Sequence, residues 1–334
     1  PGEAQSPPLR FPPVSCLLIP DSFVPMDPLT HTLVGASLAE TRVGRVGLGT
    51  ATCVIGANLP DIDAATYFLG GDLALGFRRG WTHGVLAMAV LPPLLAWVMH
   101  QVDRVRCSRT PAARPVPFGR LVVPAYIAVL SHPALDWLNV YGIRLLEPFS
   151  SRWFYGDTLF IIDIWLWLLM GFATWFSLRR QKRGGEWRRP ARAALAAALA
   201  YIGLNAVITA ADENALTASP TGTETVIASP VPFNPLAREM ISGGNGLYTL
   251  GEDTTLPGVP LNRCDLAAAR AGDSAVDAFL FWARTPLIEP REDGSLWLRD
   301  ARFYDPRVGD RFSVELPAGV CPGVQTEPTP APGG

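Results

Sequence analysis

Four histidines occur in 334 residues. Three of them stand in short polar clusters within apolar stretches: Thr30-His31-Thr32, Trp81-Thr82-His83-Gly84 and Ser131-His132-Pro133-Ala134-Leu135-Asp136. Another cluster, Asn58-Leu59-Pro60-Asp61-Ile62-Asp63, adds carboxylates. Ionisable groups are costly in apolar segments and mark a use there. The simplest joint use of imidazoles and carboxylates is to hold a metal ion. His132 and Asp136 are four apart, so on a helix they share a face. Asp61 and Asp63 are two apart, and in an extended or turn segment they can address one ion or bridge two. His83 follows Thr82, an N-cap residue type. Asp163 lies in Leu159-Phe160-Ile161-Ile162-Asp163-Ile164-Trp165, where a bare carboxylate is costly.

His31, Asp61, Asp63, His83, His132, Asp136 and Asp163 are therefore the candidate ligands. They exceed what one tetrahedral zinc requires, and the surplus suits two ions sharing a carboxylate. Zinc is the first expectation; manganese, iron and magnesium fit the carboxylate share. Asp61 or Asp136 is the candidate general base. Each residue also has a plainer reading. His132 and Asp136 can join two helices by a hydrogen bond, Asp61 can cap a turn, and His31 can be a core histidine. Asp157 reads as a helix N-cap. Arg78 and Arg79 can pair with an anionic substrate group, but anchoring at a membrane boundary beside Trp81 is the preferred role. His100 reads as an interface residue outside the chemistry.

The elements that must position these groups are apolar. The chain is 49% hydrophobic and 17% charged, against about a quarter charged in soluble domains. Segments near 83–100, 159–178 and 191–211 approach the roughly 20 residues a bilayer requires. A fourth, 121–141, is interrupted by Ser131-His132-Pro133 and Asp136. Two shorter helices, near 28–41 and 46–57, precede them. Arginines crowd alternate loops: Arg42 and Arg45, then Arg104 to Arg120, then Arg179 to Arg192. The positive-inside rule makes those loops cytoplasmic and the region after Ala211 extracytoplasmic, in a bacterial inner membrane. That orientation sends the candidate ligands to the outer leaflet. The net charge of −2 gives nucleic-acid binding no bulk support. Membrane lipids and a small-molecule or lipid-linked substrate are the expected partners.

The expected fold is mainly α: a polytopic membrane helical bundle of about six helices with a small C-terminal β or α+β domain. The expected domains are a disordered extension over 1–25 with Met26 as the native start, a membrane helical unit over 26–211, an extracytoplasmic β-rich domain over 212–322 and a disordered tail over 323–334. Segments 223–228, 278–283, 294–304 and 312–316 read as strands. Cys264 and Cys321 can pair outside the cytosol, or both remain free thiols. The domain can act as a lid over the site or be passive.

The motifs Met26-Asp27-Pro28-Leu29-Thr30-His31-Thr32, Asn58-Leu59-Pro60-Asp61-Ile62-Asp63, Arg79-Gly80-Trp81-Thr82-His83-Gly84 and Ser131-His132-Pro133-Ala134-Leu135-Asp136 resemble, in order, the membrane-bound metal-dependent hydrolase family labelled LexA-binding and inner-membrane-associated. The resemblance covers about residues 26–210. It implies a helical membrane hydrolase with a divalent metal site. A more distant similarity to zinc-dependent phospholipase C and its nuclease relatives implies phosphoester hydrolysis. Many relatives carry histidine where Arg78 stands, which implies one ligand fewer. A metal-dependent hydrolase is thus the expected function; a metal or ion transporter and a metal-stabilised membrane scaffold without catalysis are the alternatives. The LexA part of the label finds no support in these motifs.

Overall fold

The computed structural model describes residues 28–110, 113–217, 225–306 and 309–324. The expected extension over 1–25 and most of the expected tail lie outside the described residues. The helical part comprises α1 (Pro28–Ala39), α2 (Gly49–Asn58), a 3-10 helix (Leu59–Leu69), α3 (Gly71–Phe77), α4 (Val85–Cys107), α5 (Phe118–Trp137), α6 (Ile164–Lys182) and α7 (Arg188–Thr217). Among the described residues, three helices are long and apolar enough to cross a membrane: α4, α5 and the 188–215 stretch of α7.

This differs from the expected spans in two places. Segment 121–141 qualifies despite its polar interruption. Segment 159–178 does not, because α6 starts only at Ile164 and ends in Arg179, Arg180 and Lys182. Its apolar part, 164–178, is about 22 Å long, short of a core of about 30 Å. Helices α1 and α2 are about 18 and 15 Å long. They pack inside the bundle.

Small residues make that packing close, as they do between membrane helices. A side chain at Gly35 would meet the Cys53 carbonyl oxygen at 2.7 Å, so α1 rests on the backbone of α2. A side chain at Gly56 would meet Ala128 Cβ at 2.9 Å, so α2 rests equally closely on α5. These contacts lie one helical turn from His31 and His132, and they set the spacing at which the polar clusters meet. Asn58 fastens the same corner, donating to Val54 O at 2.9 Å and to Thr32 Oγ1 at 3.1 Å.

The C-terminal part holds two antiparallel sheets. One is β1 (Thr225–Val231), β2 (Asn234–Gly244), β3 (Leu247–Leu250) and β4 (Thr254–Thr255) in sequence order; the other is β5 (Pro286–Pro290), β6 (Leu296–Asp300) and β7 (Ser313–Glu315). Between them lie α8 (Leu266–Gly272) and α9 (Ser274–Trp282). The expected strand 278–283 is therefore helix. Asp273 caps α9 by accepting from Ala275 N and Val276 N, and Val276, Phe279 and Trp282 are buried along one face. Cys264 and Cys321 form a disulfide. The core here includes Tyr141 and Val140 from the helical part, packed with Phe279, Trp282, Phe303 and Phe312. Arg302 Nη1 donates to Val140 O at 2.6 Å, and Trp153 Nε1 to Phe281 O at 3.0 Å.

Candidate metal centre

Six of the seven expected ligands meet in space. His31 comes from α1, Asp61 and Asp63 from the 3-10 helix, His83 from the turn before α4, and His132 and Asp136 from the last turns of α5. Five of the six are buried; Asp61 is the most open, with 13% of its side chain exposed.

His132 Nδ1 lies 2.7 Å from the Ala57 carbonyl, which can only accept. The proton therefore sits on Nδ1, and Nε2 presents its lone pair. His83 is oriented in the same way from its other side. Its Nδ1 lies 3.3 Å from Asp63 Oδ2 and 2.9 Å from Thr82 Oγ1, which itself donates to that carboxylate. The two Nε2 atoms face each other at 3.1 Å. Asp136 Oδ2 lies 3.3 Å from one and 3.4 Å from the other, and no hydrogen bond satisfies it. Ligands at about 2.0–2.1 Å from a tetrahedral ion stand about 3.3 Å from one another. The triangle of His83 Nε2, His132 Nε2 and Asp136 Oδ2 has those edges. Asp61 Oδ1 stands further off, 3.7 Å from His132 Nε2 and 4.0 Å from His83 Nε2. Among the described residues, His31, His132 and Asp136 form one group that could hold a metal ion, and Asp61, His83 and His132 another.

Around the triangle stand two buried arginines. Arg79 adopts a left-handed backbone, φ +51°, and its N–H donates to Asp63 Oδ2 at 2.9 Å. Its guanidinium donates to Asp136 Oδ1 at 2.8 Å, Asn139 Oδ1 at 2.7 Å and Gly142 O at 2.9 Å, and it lies against the Tyr141 ring. Arg78 donates to Asp61 Oδ1 at 2.9 Å and to Tyr67 Oη at 3.1 Å. The preferred expectation of boundary anchors is thus corrected: both arginines lie within the polar centre, where three carboxylates offset the cost of burying them. Asn139 and Tyr67 are site residues that the sequence does not flag, and Thr82, expected as an N-cap, instead donates to Asp63 while Gly84 takes the cap position. For the arginines, the adjacent Arg78-Arg79 pair, two residues before Trp81, was the available signal. Burial works against a charged His83, but its hydrogen bonds to Asp136 and Asp63 outweigh this and push its pKa up to about 9, so an ion at Nε2 would take the place of a proton. Asp63 is held below the usual carboxylate range: burial opposes this, and His83, Arg78 and the Arg79 N–H prevail.

Asp163 falls outside both candidate groups. It caps α6, accepting from Leu166 N at 2.9 Å, and its second oxygen accepts from Tyr201 Oη at 2.8 Å. Asp157, expected as the cap, instead pairs with Arg284 of the C-terminal part at 2.6 Å. His100 lies apart, its Nδ1 2.8 Å from Val116 O.

No solved structure matches the chain. An uncharacterized protein, YfhP, of Bacillus subtilis (strain 168) is 25% identical over 167 residues, 46% of this chain and 47% of that protein. The chain thus spans about half the length of this curated relative. Residues 26–211 match the family described as YdjM inner membrane protein. That range holds every element from α1 through most of α7 and all six converging side chains, so the chain belongs to the YdjM inner membrane protein family.

Proposed function

We propose that the protein is a membrane-embedded metal-dependent hydrolase acting on an anionic phosphoester, with the lipid bilayer as the source of its substrate. The observation that carries this reading is the triangle of two imidazole nitrogens and one carboxylate oxygen left without a hydrogen bond, buried and spaced as the ligands of one ion. The donor set of imidazole and carboxylate suits zinc first, with manganese or iron next. His83, His132 and Asp136 would hold the ion, and Asp61 would complete the set. A divalent cation supplies Lewis acidity here, acidifying water and offsetting charge on the attacked group.

The chain's own residues do the rest. Ala57 O and Asp63 fix the tautomers of His132 and His83. Arg79 holds one Asp136 oxygen and so turns the other inward. Asp61, Asp63 and Asp136 against Arg78 and Arg79 leave one net negative charge. With a divalent cation the balance becomes one positive charge, which suits a monoanionic phosphodiester. Ile62, between two site carboxylates, is 61% exposed and Phe68 is 90% exposed, so the rim of the site offers an apolar surface to lipid.

Several expectations about the membrane belong to this reading. The arginine-rich ends of α1, α4 and α6 face the cytoplasm, and the site lies at the outer boundary. The disulfide supports an extracytoplasmic C-terminal domain. The test is zinc content and hydrolysis of soluble and lipid phosphodiesters by purified protein, wild type against His132→Ala. Zinc bound and turned to hydrolysis by the wild type, with both lost in the folded variant, supports the reading. Metal-dependent flux through proteoliposomes without turnover would favour transport instead.

A further inference from the structure

His31 was expected as a ligand, and its carboxylate and imidazole neighbours place it close enough. Its orientation argues otherwise. The His31 and His132 rings stack, with centroids 3.7 Å apart and planes 19° from parallel. An imidazole donates to a metal in the plane of its ring. An ion bound in the plane of one stacked ring lies well out of the plane of the other, because the bond itself is only about 2.0–2.1 Å. The lone pair of that other ring does not point to it. A separate ion on His31 fares no better. The nearest carboxylate atom, Asp136 Oδ1 at 3.4 Å, already accepts from the Arg79 guanidinium at 2.8 Å.

What His31 does have is an orienting acid at Nε2 and a place in the lining of a cavity. Its Nε2 faces Asp136 Oδ1, which fixes the proton on that nitrogen. Its Nδ1 is buried and has no hydrogen-bond partner. His31 also lines a cavity of about 30 Å³, together with Thr30, Asp136, Asn139 and Asp163. That is room for about one or two waters, and the polar lining supplies the partners a buried water requires.

We propose that His31 is the general base of the reaction, not a ligand, and that this cavity seats the attacking water against its Nδ1. The inference rests on the hydrolase reading above and names a residue for it. The water oxygen bonds to phosphorus as the bond from phosphorus to the departing alcohol oxygen breaks with its electron pair. The water's proton passes to His31 Nδ1, the departing oxygen takes a proton from solvent, and His31 returns its own to solvent, so the histidine ends as it began. Asp136 then serves twice: Oδ2 faces the metal position and Oδ1 orients the base.

The experiment compares His31→Gln and His31→Asn with wild type and His132→Ala, all checked for folding by thermal unfolding. Zinc affinity is read by competition, the geometry of the centre by the absorption spectrum of the cobalt-substituted protein, and turnover with bis(p-nitrophenyl) phosphate. Both His31 variants are expected to keep zinc affinity within about threefold and the cobalt spectrum unchanged, while kcat falls about 10²- to 10⁴-fold. His132→Ala is expected to lose zinc. Zinc weakened more than tenfold by both His31 variants, or a changed cobalt spectrum, makes His31 a ligand and overturns the proposal. So does a kcat within threefold of wild type. Wild-type protein that binds zinc and hydrolyses nothing overturns the functional reading and the base role with it; that failure appears before any variant is compared.

Discussion

Replacing Arg79 by methionine tests whether the polar centre is held together as the distances indicate. Arg79 is fully buried, and its guanidinium donates to Asp136, Asn139 and Gly142. Methionine fills much of the volume but donates nothing. Asn139 Oδ1 keeps the Tyr141 N–H at 2.9 Å, so its loss is partial. Asp136 loses its counter-charge inside the protein. Breaking a buried ion pair from one side costs about 3–5 kcal/mol. Gly142 O, left without its donor, adds about 1 kcal/mol or more. A total of about 4–6 kcal/mol is a large part of a stability of about 5–15 kcal/mol. At about 2–4 °C per kcal/mol for a unit of this size, the midpoint in detergent falls by about 10–20 °C, read by tryptophan fluorescence on heating. The second arm of the cycle is Asp136→Asn. In that background Arg79→Met strands no carboxylate, so it should cost less than half as much. A drop under about 3 °C for Arg79→Met, or an equal drop in both backgrounds, would refute the claim that this pair organises the site.

Other consequences are more local. Trp282 is buried between Tyr141 and the aromatic core of the C-terminal part, so Trp282→Ala should cost about 3–5 kcal/mol in thermal unfolding. The Cys264–Cys321 bond joins residues 57 apart, and reduction should remove about 4 kcal/mol by loop entropy, visible as a lower midpoint in dithiothreitol. The Arg302 guanidinium, with hydrogen bonds from Thr285 and Arg302, holds the Asp300 carboxyl below its usual range against the effect of burial. A lowered pKa stabilises the fold above the unfolded value of about 4 and loses that contribution as pH falls through the folded value. Acid unfolding of wild type should therefore steepen below about pH 4, and Asp300→Asn should start less stable and show a shallower loss. A cysteine at exposed Glu292 should react with a membrane-impermeant maleimide on intact cells, while one at exposed Arg109 should not; the reverse pattern inverts the proposed topology.

Which residues were legible in the sequence follows from how local their reasons are. His132 and Asp136 were readable because one helical turn brings them together whatever surrounds them. Asp163 misled because Ile161-Ile162-Asp163-Ile164 has the composition of a helix interior. The helix starts one residue later, so the carboxylate that looked stranded is its cap. The run Phe279-Leu280-Phe281-Trp282 favours a strand by residue type, yet Asp273 caps it as a helix whose buried face repeats every third residue. Arg78 and Arg79 were misplaced for a different reason. Arginine beside Trp81 suits a membrane boundary, and nothing within those few residues contradicts it. What decides their role is Asp61 and Asp63, 16 or 17 residues before them, and Asp136, 57 residues after. Those partners become neighbours because Gly35 lets α1 rest on the backbone of α2 and Gly56 lets α2 close on Ala128 of α5. Close helix contact, a property of small residues without chemistry of their own, is thus what turns scattered histidines and acids into one centre. Gly56→Leu should accordingly disperse that centre and abolish zinc binding with every candidate ligand still present, because the side chain would drive α2 off Ala128 and carry Ala57 O away from His132.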